Sequence, residues 1–222
     1  MKFLIHACPS RMWYVQEFLY PSLLAQGADP VDVEIWNDAQ GKGNLRSCME
    51  SFAARTGDGG TWHLQDDVIL CSDFLERCRR YDEGVAYGFA CRNFGDRLDA
   101  YGTVYVPDAW NSFQCVRIPD PWARECSEWV LSQAWEKEIY VAAELPVLWD
   151  LGRGDDTFFH EFMNTRHAET VAENIRPNLV DHIDWLIGGS SLHDWRDYLA
   201  RAEFWDEPEL IDRLRESIKA RK

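Results

Sequence analysis

Strand-like and helix-like patterns alternate through the N-terminal third of the chain. The apolar run at 2–7 and the alternating residues at 31–36 predict two strands, and the residues after Gly60 predict a third. Apolar residues at helical spacing in 12–26 and 45–54 predict a helix after each of the first two strands. Strand–helix–strand repeats of this kind form right-handed crossovers between parallel strands. The pattern therefore predicts an α/β fold with a Rossmann-like, mostly parallel central sheet flanked by helices.

The rest of the chain is less regular but carries further elements. Short apolar segments predict strands at 84–90, 103–106, 113–118 and 170–175. Capping and spacing signals predict helices that begin at Asp120, at Asp155-Asp156 and at Pro208. We expect one domain over 1–191 and a C-terminal helical extension over 192–222 that packs on the same domain.

Composition excludes several classes of function. A net charge of −15 argues against a nucleic acid as the main partner, since such partners attract clustered Lys and Arg, and it disfavours anionic membrane surfaces. The seven cysteines are dispersed and form no Cys-x-x-Cys pair, which is typical of reduced thiols and lacks the usual structural zinc signature. The first apolar run is too short for a signal peptide or an integral membrane segment. We therefore expect a cytoplasmic protein.

The segment Gln65-Asp66-Asp67 follows directly after the third predicted strand. Ligands of open α/β sheets bind at the carboxyl ends of the strands, where paired carboxylates can hold a hard cation and a phosphate. The ordinary alternative is that both carboxylates are solvated loop residues. The position of this pair at a strand end makes it the first candidate for a functional site.

Other motifs stand before and after the acidic pair in a fixed order. A loop at 8–11 and a helix start at 43–46 precede the pair, Gly154-Asp155-Asp156 comes before an aromatic helix, and 177–182 ends in His182. This order resembles the GT-A class of nucleotide-sugar glycosyltransferases, and within it the small bacterial family 2-like and lipopolysaccharide family 25-like enzymes, of bacterial or phage type. The resemblance extends from Lys2 to Ser191.

The resemblance implies a hexosyltransferase-like enzyme. Such an enzyme moves a sugar from a nucleoside-diphosphate sugar, with a UDP-sugar favoured, to a hydroxyl of a carbohydrate or other acceptor. The leaving diphosphate gains negative charge, which a bound Mn²⁺ or Mg²⁺ stabilises as a Lewis acid. Mn²⁺ also accepts an imidazole ligand.

The resemblance also assigns roles within the Asp-x-Asp-like motif. Asp67 corresponds to the metal-binding carboxylate, and His182 to the late metal-binding histidine. Gln65 and Asp66 would face the donor. Gln65 stands where the family usually has an acidic residue, but an amide can still form hydrogen bonds with hydroxyls. A lone histidine such as His182 is otherwise an ordinary surface or core residue.

Asp155 and Asp156 have two interpretations. An acidic residue here acts as general base in inverting members of the family, where it deprotonates the acceptor hydroxyl. We favour Asp156 over Asp155 for that role. The alternative is that the pair only caps the following helix or, in a retaining enzyme, only binds the acceptor.

The nucleoside is expected over the ends of the first two strands, where its candidate ligands are Cys8, Pro9, Ser10, Arg11, Asn37 and Asp38. Arg46 either reaches the diphosphate or is a surface residue of its helix. His63 is expected to be an ordinary residue of the third strand.

Three rival functions use the same residues. A nucleotidyltransferase or phosphatase would employ Asp66, Asp67 and a cation, but the loop at 8–11 lacks the Gly-rich, basic character usual for nucleotidyltransferases on this fold. A non-catalytic sugar-nucleotide-binding protein would be expected to lack Asp67. A glycosidase could pair Asp66 with Asp156, although the strand–helix pattern disfavours it.

Overall fold

The computed structural model describes residues 1–88, 113–132, 155–170, 172–175, 178–187 and 208–221. Within these residues a six-stranded sheet has the order β2-β1-β3-β6-β5-β7. Its strands are β1 (Lys2–Ala7), β2 (Val33–Asn37), β3 (Gly60–Gln65), β5 (Ala86–Tyr87), β6 (Cys115–Pro119) and β7 (Glu173–Asn174). A separate antiparallel pair consists of β4 (Val68–Leu70) and β8 (Val180–His182).

The pairing directions fit the predicted fold class. Strand β1 is parallel to both β2 and β3, and β5 is parallel to β7, whereas β6 is antiparallel to β3 and β5. The prediction of an α/β fold with a mostly parallel central sheet flanked by helices is confirmed.

The helices after the first two strands follow the predicted periodicity, and further helices occur along the described chain. They are α1 (Met12–Tyr14), α2 (Tyr20–Ala25), α3 (Asn44–Ala53), α4 (Phe74–Cys78), α5 (Asp120–Ser132), α6 (Asp155–Arg166), α7 (Asp184–Ile187) and α8 (Pro208–Arg221). Short 3₁₀ turns occupy Pro9–Arg11 and Pro30–Asp32. In the described ranges, no helix combines the length and the apolar character that a membrane crossing requires.

The helix predicted over 12–26 contains an irregular turn. Residues Val15–Leu19 are π-helical and lie between α1 and α2. Pro21 at the start of α2 has no N–H group, and its ring would collide with a carbonyl of a regular preceding turn. The wider turn before Pro21 lets the chain continue as a helix through a local change of helix type.

Alternation along the strands divides the buried residues between two cores. Phe3, Ile5 and Trp62 face the first core, which the N-terminal helices, α4 and α8 cover. The second core lies on the opposite face beneath α3, α5 and α6, and it includes Phe52 and Val116. Because successive strand residues point to opposite faces, His6 and His63 are directed toward the second core.

The C-terminal helix α8 packs against the N-terminal helices. Leu214 is fully buried in the first core, Ser217 Oγ donates to Glu17 Oε2 at 3.2 Å, and Arg221 both pairs with Glu17 and lies 4.7 Å from the ring centre of Trp13. The predicted boundary at residue 191 lies outside the described residues. The division into 1–191 and 192–222 therefore stays a prediction.

Several short strands differ from expectation. Among the described residues, the strand predicted over 84–90 is represented by β5, and the one over 170–175 by β7. The strand expected at 103–106 lies outside the described residues. Strands β4 and β8 were not predicted, because three residues are too few to show a two-residue period.

The buried carboxylate of Asp120, at the start of α5, contacts β3 and Arg55. Asp120 accepts a hydrogen bond from Thr61 Oγ1 at 2.7 Å, and its Oδ1 lies 4.0 Å from Arg55 Nη1, with both side chains of this ion pair buried. Burial lowers the pKa of Arg55 to about 10, although Asp120 acts in the opposite direction. Arg55 Nε and Nη2 have no hydrogen-bond partner among the described residues. The guanidinium thus depends on this carboxylate for its countercharge.

We predict that Asp120→Ala lowers the free energy of unfolding by about 3–5 kcal/mol, because it leaves a buried guanidinium without its counterion. Urea denaturation measures the loss. The control is Asp58→Ala, whose carboxylate also lies 4.0 Å from an arginine, Arg124, but is fully exposed, so no measurable loss is expected. Equal losses in the two variants would contradict the assignment.

Candidate functional site

The candidate site lies at the carboxyl ends of β1 and β3. The register of this parallel pair sets His6 opposite Gln65, so both strands end at the same edge of the sheet. The backbone N–H of Cys8 donates to Asp66 Oδ2 at 2.7 Å. The two segments predicted from the sequence to form a site are therefore in direct contact.

Arg11 lies between the two carboxylates of the acidic pair. Its Nη1 donates to Asp66 Oδ1 at 2.8 Å and also to Asp67 Oδ2, and all three side chains are buried. The 3₁₀ turn at Pro9–Arg11 directs the arginine toward the pair. The sequence placed Arg11 in a nucleoside-binding loop, but it contained no signal for this contact.

His182 reaches Asp67 through the small second sheet. Antiparallel pairing sets Val68 opposite His182, and Ile183 N donates to the backbone carbonyl of Asp67 at 2.8 Å. As a result, His182 Nε2 lies 3.1 Å from Asp67 Oδ2. The other carboxylate oxygen, Asp67 Oδ1, is buried and has no hydrogen-bond partner among the described residues.

These contacts shift the pKa values of the two carboxylates in opposite directions. Burial alone would raise the pKa of Asp67, but His182 and Arg11 lower it to about 2. Burial and the neighbouring Asp67 raise the pKa of Asp66, against the opposing effect of Arg11. Asp67 is therefore the more strongly ionised member of the pair and the better ligand for a cation.

The residues around Asp67 fit a divalent cation. A carboxylate oxygen without a partner and an imidazole nitrogen form the mixed oxygen and nitrogen donor set that Mn²⁺ accepts. Arg11 competes with such a cation, since it already donates to Asp67 Oδ2. Asp67 Oδ1 and His182 are the groups that would hold the ion.

Asp155 and Asp156 begin α6 but lie in different environments. Asp155 is 4% exposed, and its carboxylate accepts from Asp156 N at 3.0 Å and from Gln65 Nε2 at 3.3 Å. Burial first, and then the charge of Asp156, raise the pKa of Asp155 to about 7. Asp156 is only partly buried. Asp155 thus both begins a helix and holds the side chain of Gln65.

The remaining predicted ligands lie around the loop that leads to α3. Asn37 is exposed at the end of β2. Asp38 accepts from Lys42 N at 2.8 Å and from Gly43 N at 2.9 Å, which organises the loop that leads to α3. Arg46 is largely exposed, and its Nε donates to Glu50 at 3.0 Å.

Pro9 and Ser10 are exposed in the loop after β1, and Cys8 is half-buried. The sulfur of Cys8 lies 3.1 Å from Ser10 Oγ. The loop after β1 therefore has an exposed outer side and an inner side that contacts Asp66.

Comparison with known proteins finds similarity to solved structures. No protein-family model matches the chain, and no curated protein matches it. Among solved structures, the galactosyltransferase LgtC in complex with donor and acceptor sugar analogs is 12% identical, with a TM-score of 0.40 over 98% of this chain and 96% of that chain. A likeness at this level assigns no family, and the function proposed below rests on the residues of the site.

We predict that Asp155→Asn changes the pH dependence of stability. The folded-state pKa of about 7 lies above the value in an unfolded chain, so the folded state binds more protons between the two values. The wild-type protein therefore loses stability as pH rises through this window, by up to about 1.4 kcal/mol per pH unit. Asparagine cannot ionise, so the variant lacks this loss.

Urea unfolding of metal-free protein between about pH 5 and pH 8 measures the effect. The advantage of Asp155→Asn over the wild type is expected to grow as pH rises. Asp58→Asn, at a fully exposed position, serves as the control and should follow the wild-type curve. Parallel curves for Asp155→Asn and the wild type would show that Asp155 titrates normally.

Proposed function

We propose that this protein is a metal-dependent glycosyltransferase that uses a nucleoside-diphosphate sugar, with UDP-sugars the first donors to test. The observation that carries the proposal is the half-satisfied carboxylate of Asp67 beside His182, at the edge where β1 and β3 end. Ligand sites of open α/β sheets lie at this edge. The proposal takes Asp67 and His182 as the residues that would hold Mn²⁺ or Mg²⁺.

The charge of the site supports a diphosphate bound together with a cation. With both carboxylates ionised, Asp66, Asp67 and Arg11 carry a net charge of minus one, which repels a free diphosphate. A divalent cation would reverse that sign, and when bound it would supply Lewis-acid stabilisation to the leaving diphosphate. The acidic pair alone therefore disfavours metal-independent binding.

Arg11 has two tasks in this proposal. It holds Asp66 and Asp67 in fixed positions through its Nη1 atom. Its positive charge also lies at the place where the phosphates would bind, and burial does not neutralise it, because Asp67 and Asp66 raise its pKa. Arg11 thus orients the ligands and adds countercharge for the donor.

Gln65 and Asp66 would contact the sugar or ribose hydroxyls of the donor. The amide of Gln65 is held by Asp155, which leaves its carbonyl oxygen as the atom for a hydroxyl donor. Asp66 is fixed by the Cys8 backbone and by Arg11. Asn37 and Asp38 would lie near the nucleoside at the end of β2. Arg46 is a weaker candidate for a donor contact, because it already pairs with Glu50.

Asp156 is the candidate general base. A base must reach the acceptor hydroxyl, and Asp156 is more accessible than the buried Asp155 beside it. Asp155 is buried and accepts from Gln65, so it is better placed to hold Gln65 than to reach an acceptor. The proposal therefore assigns the base to Asp156 and a positioning role to Asp155.

We predict that UDP or GDP binds with Mn²⁺ or Mg²⁺ present and that Asp67→Asn weakens this binding at least about tenfold, or about 1.4 kcal/mol. The loss follows from removal of the anionic metal ligand. Isothermal titration calorimetry with and without the cation measures it, and circular dichroism checks that the fold survives. Asp58→Asn is the control, with unchanged affinity expected.

Two outcomes would overturn this assignment. Equal nucleotide affinity in Asp67→Asn and the wild type would remove Asp67 from the site. Nucleotide binding without a metal would mean that Arg11, and not a cation, neutralises the phosphates.

A second prediction concerns turnover. A panel of nucleotide-sugars is incubated with the protein and the cation, and the released nucleoside diphosphate is measured. We expect Asp156→Asn to lower turnover by about 10²–10⁴-fold while the affinity for UDP is retained, because a general base acts only on the acceptor. Unchanged turnover would remove the base role. In a parallel assay with a nucleoside triphosphate and a sugar phosphate, release of pyrophosphate would indicate a nucleotidyltransferase.

A further inference from the structure

Four side chains from four different elements meet beneath the sheet, on the side of the second core. They are His6 of β1, Cys48 of α3, His63 of β3 and Asp155 at the start of α6. Each offers one potential metal-ligating atom, and these atoms all lie within 4.8 Å of one another. The cluster shares no residue with the pair formed by Asp67 and His182.

The cluster is enclosed by the second core. Cys48 and His63 are fully buried, and His6 and Asp155 are nearly so. The rings of Phe52 and Phe113 lie with their centres 5.5 Å from the ring centre of His63. Water therefore has little access to these polar groups.

His63 lacks the partners that a buried imidazole normally has. Both of its ring nitrogens are buried without a hydrogen-bond partner among the described residues. Buried polar groups in folded proteins are almost always satisfied, so two unsatisfied atoms on one ring indicate a missing ligand. A metal ion would satisfy one of them.

His6 and Asp155 are held in place by neighbours. Nε2 of His6 lies 2.9 Å from Ser47 Oγ, and Asp155 accepts from Gln65 Nε2 and Asp156 N. Such outer partners fix the orientation of metal ligands in known sites. The potential ligands are therefore already held in fixed orientations, as in known metal sites.

The donor set matches one class of metal. Two imidazoles, one thiolate and one carboxylate are the ligand types of tetrahedral Zn²⁺ sites. Bond lengths near 2.0–2.3 Å place tetrahedral ligand atoms about 3.3–3.8 Å apart, so the ligands would need to close by about 1 Å. Mg²⁺ prefers an octahedral set of oxygen atoms, which this cluster does not offer.

We propose that His6, Cys48, His63 and Asp155 bind one Zn²⁺ ion in a closed structural site. Binding deprotonates the Cys48 thiol and the Asp155 carboxyl group, and both protons are released to solvent. The ion with one thiolate and one carboxylate is then neutral, which suits the apolar surroundings. The ion would tie β1, β3, α3 and α6 together behind the acidic pair.

X-ray absorption spectroscopy of the full, untagged chain loaded with Zn²⁺ tests the proposal without any substitution. We expect one equivalent of bound zinc with one sulfur ligand near 2.3 Å and nitrogen or oxygen ligands near 2.0 Å. A zinc bound by Asp67 and His182 would show no sulfur. Absence of tightly bound zinc, or a sulfur-free coordination shell, overturns the proposal.

A matched pair of variants assigns the sulfur. Cobalt titration of the wild type should give the near-ultraviolet band of a thiolate bound to Co²⁺ together with visible bands of tetrahedral geometry. Cys48→Ser should remove the thiolate band and weaken binding at least about tenfold. Cys78→Ser, an equally buried cysteine in the first core, should keep both.

The same experiment separates this site from the proposed donor site. Asp67→Asn should keep the thiolate band, even though it loses metal-dependent nucleotide binding. An unchanged thiolate band in Cys48→Ser overturns the proposal. If Cys48→Ser does not fold, the sulfur ligand seen by X-ray absorption in the wild type still decides the matter.

Discussion

The parallel pairing of β1 with β3 is the constraint on which the rest of the structure depends. Its register sets His6 beside Gln65, and this alignment positions side chains both at the strand ends and on one face of the sheet. At the end of the strands it brings the Cys8 N–H to Asp66. On the face below it brings His6 and His63 to a ring separation of 5.6 Å beneath α3. A shift of one residue would turn these side chains to the opposite face and separate both groups.

The sequence predicted the parts of the fold that repeat. Amphipathic helices and apolar strands have a period, and the first three strands with their two helices follow it closely. A pair of carboxylates at a strand end is also visible in a sequence, because the strand itself is visible. The class of fold and the location of Gln65, Asp66 and Asp67 could therefore be predicted without coordinates.

What the sequence did not predict depends on contacts between distant segments. Arg11 occurs in a loop that looks ordinary, and only the packing of that loop directs it toward Asp66 and Asp67. The ligands around His63 are separated by long stretches of chain and show none of the close Cys or His spacing that marks zinc sites. Strand β4, which aligns His182 with Asp67, is too short to carry a pattern.

Arg11 also determines what the site does before any ligand arrives. A guanidinium stays charged at every physiological pH, so the two carboxylates are held at fixed positions even in an empty site. Such a site is preorganised: its groups are already oriented, and little conformational entropy remains to be lost on binding. A ligand that enters would meet a rigid surface, and selection among ligands would then depend on shape and charge more than on the adaptability of the protein.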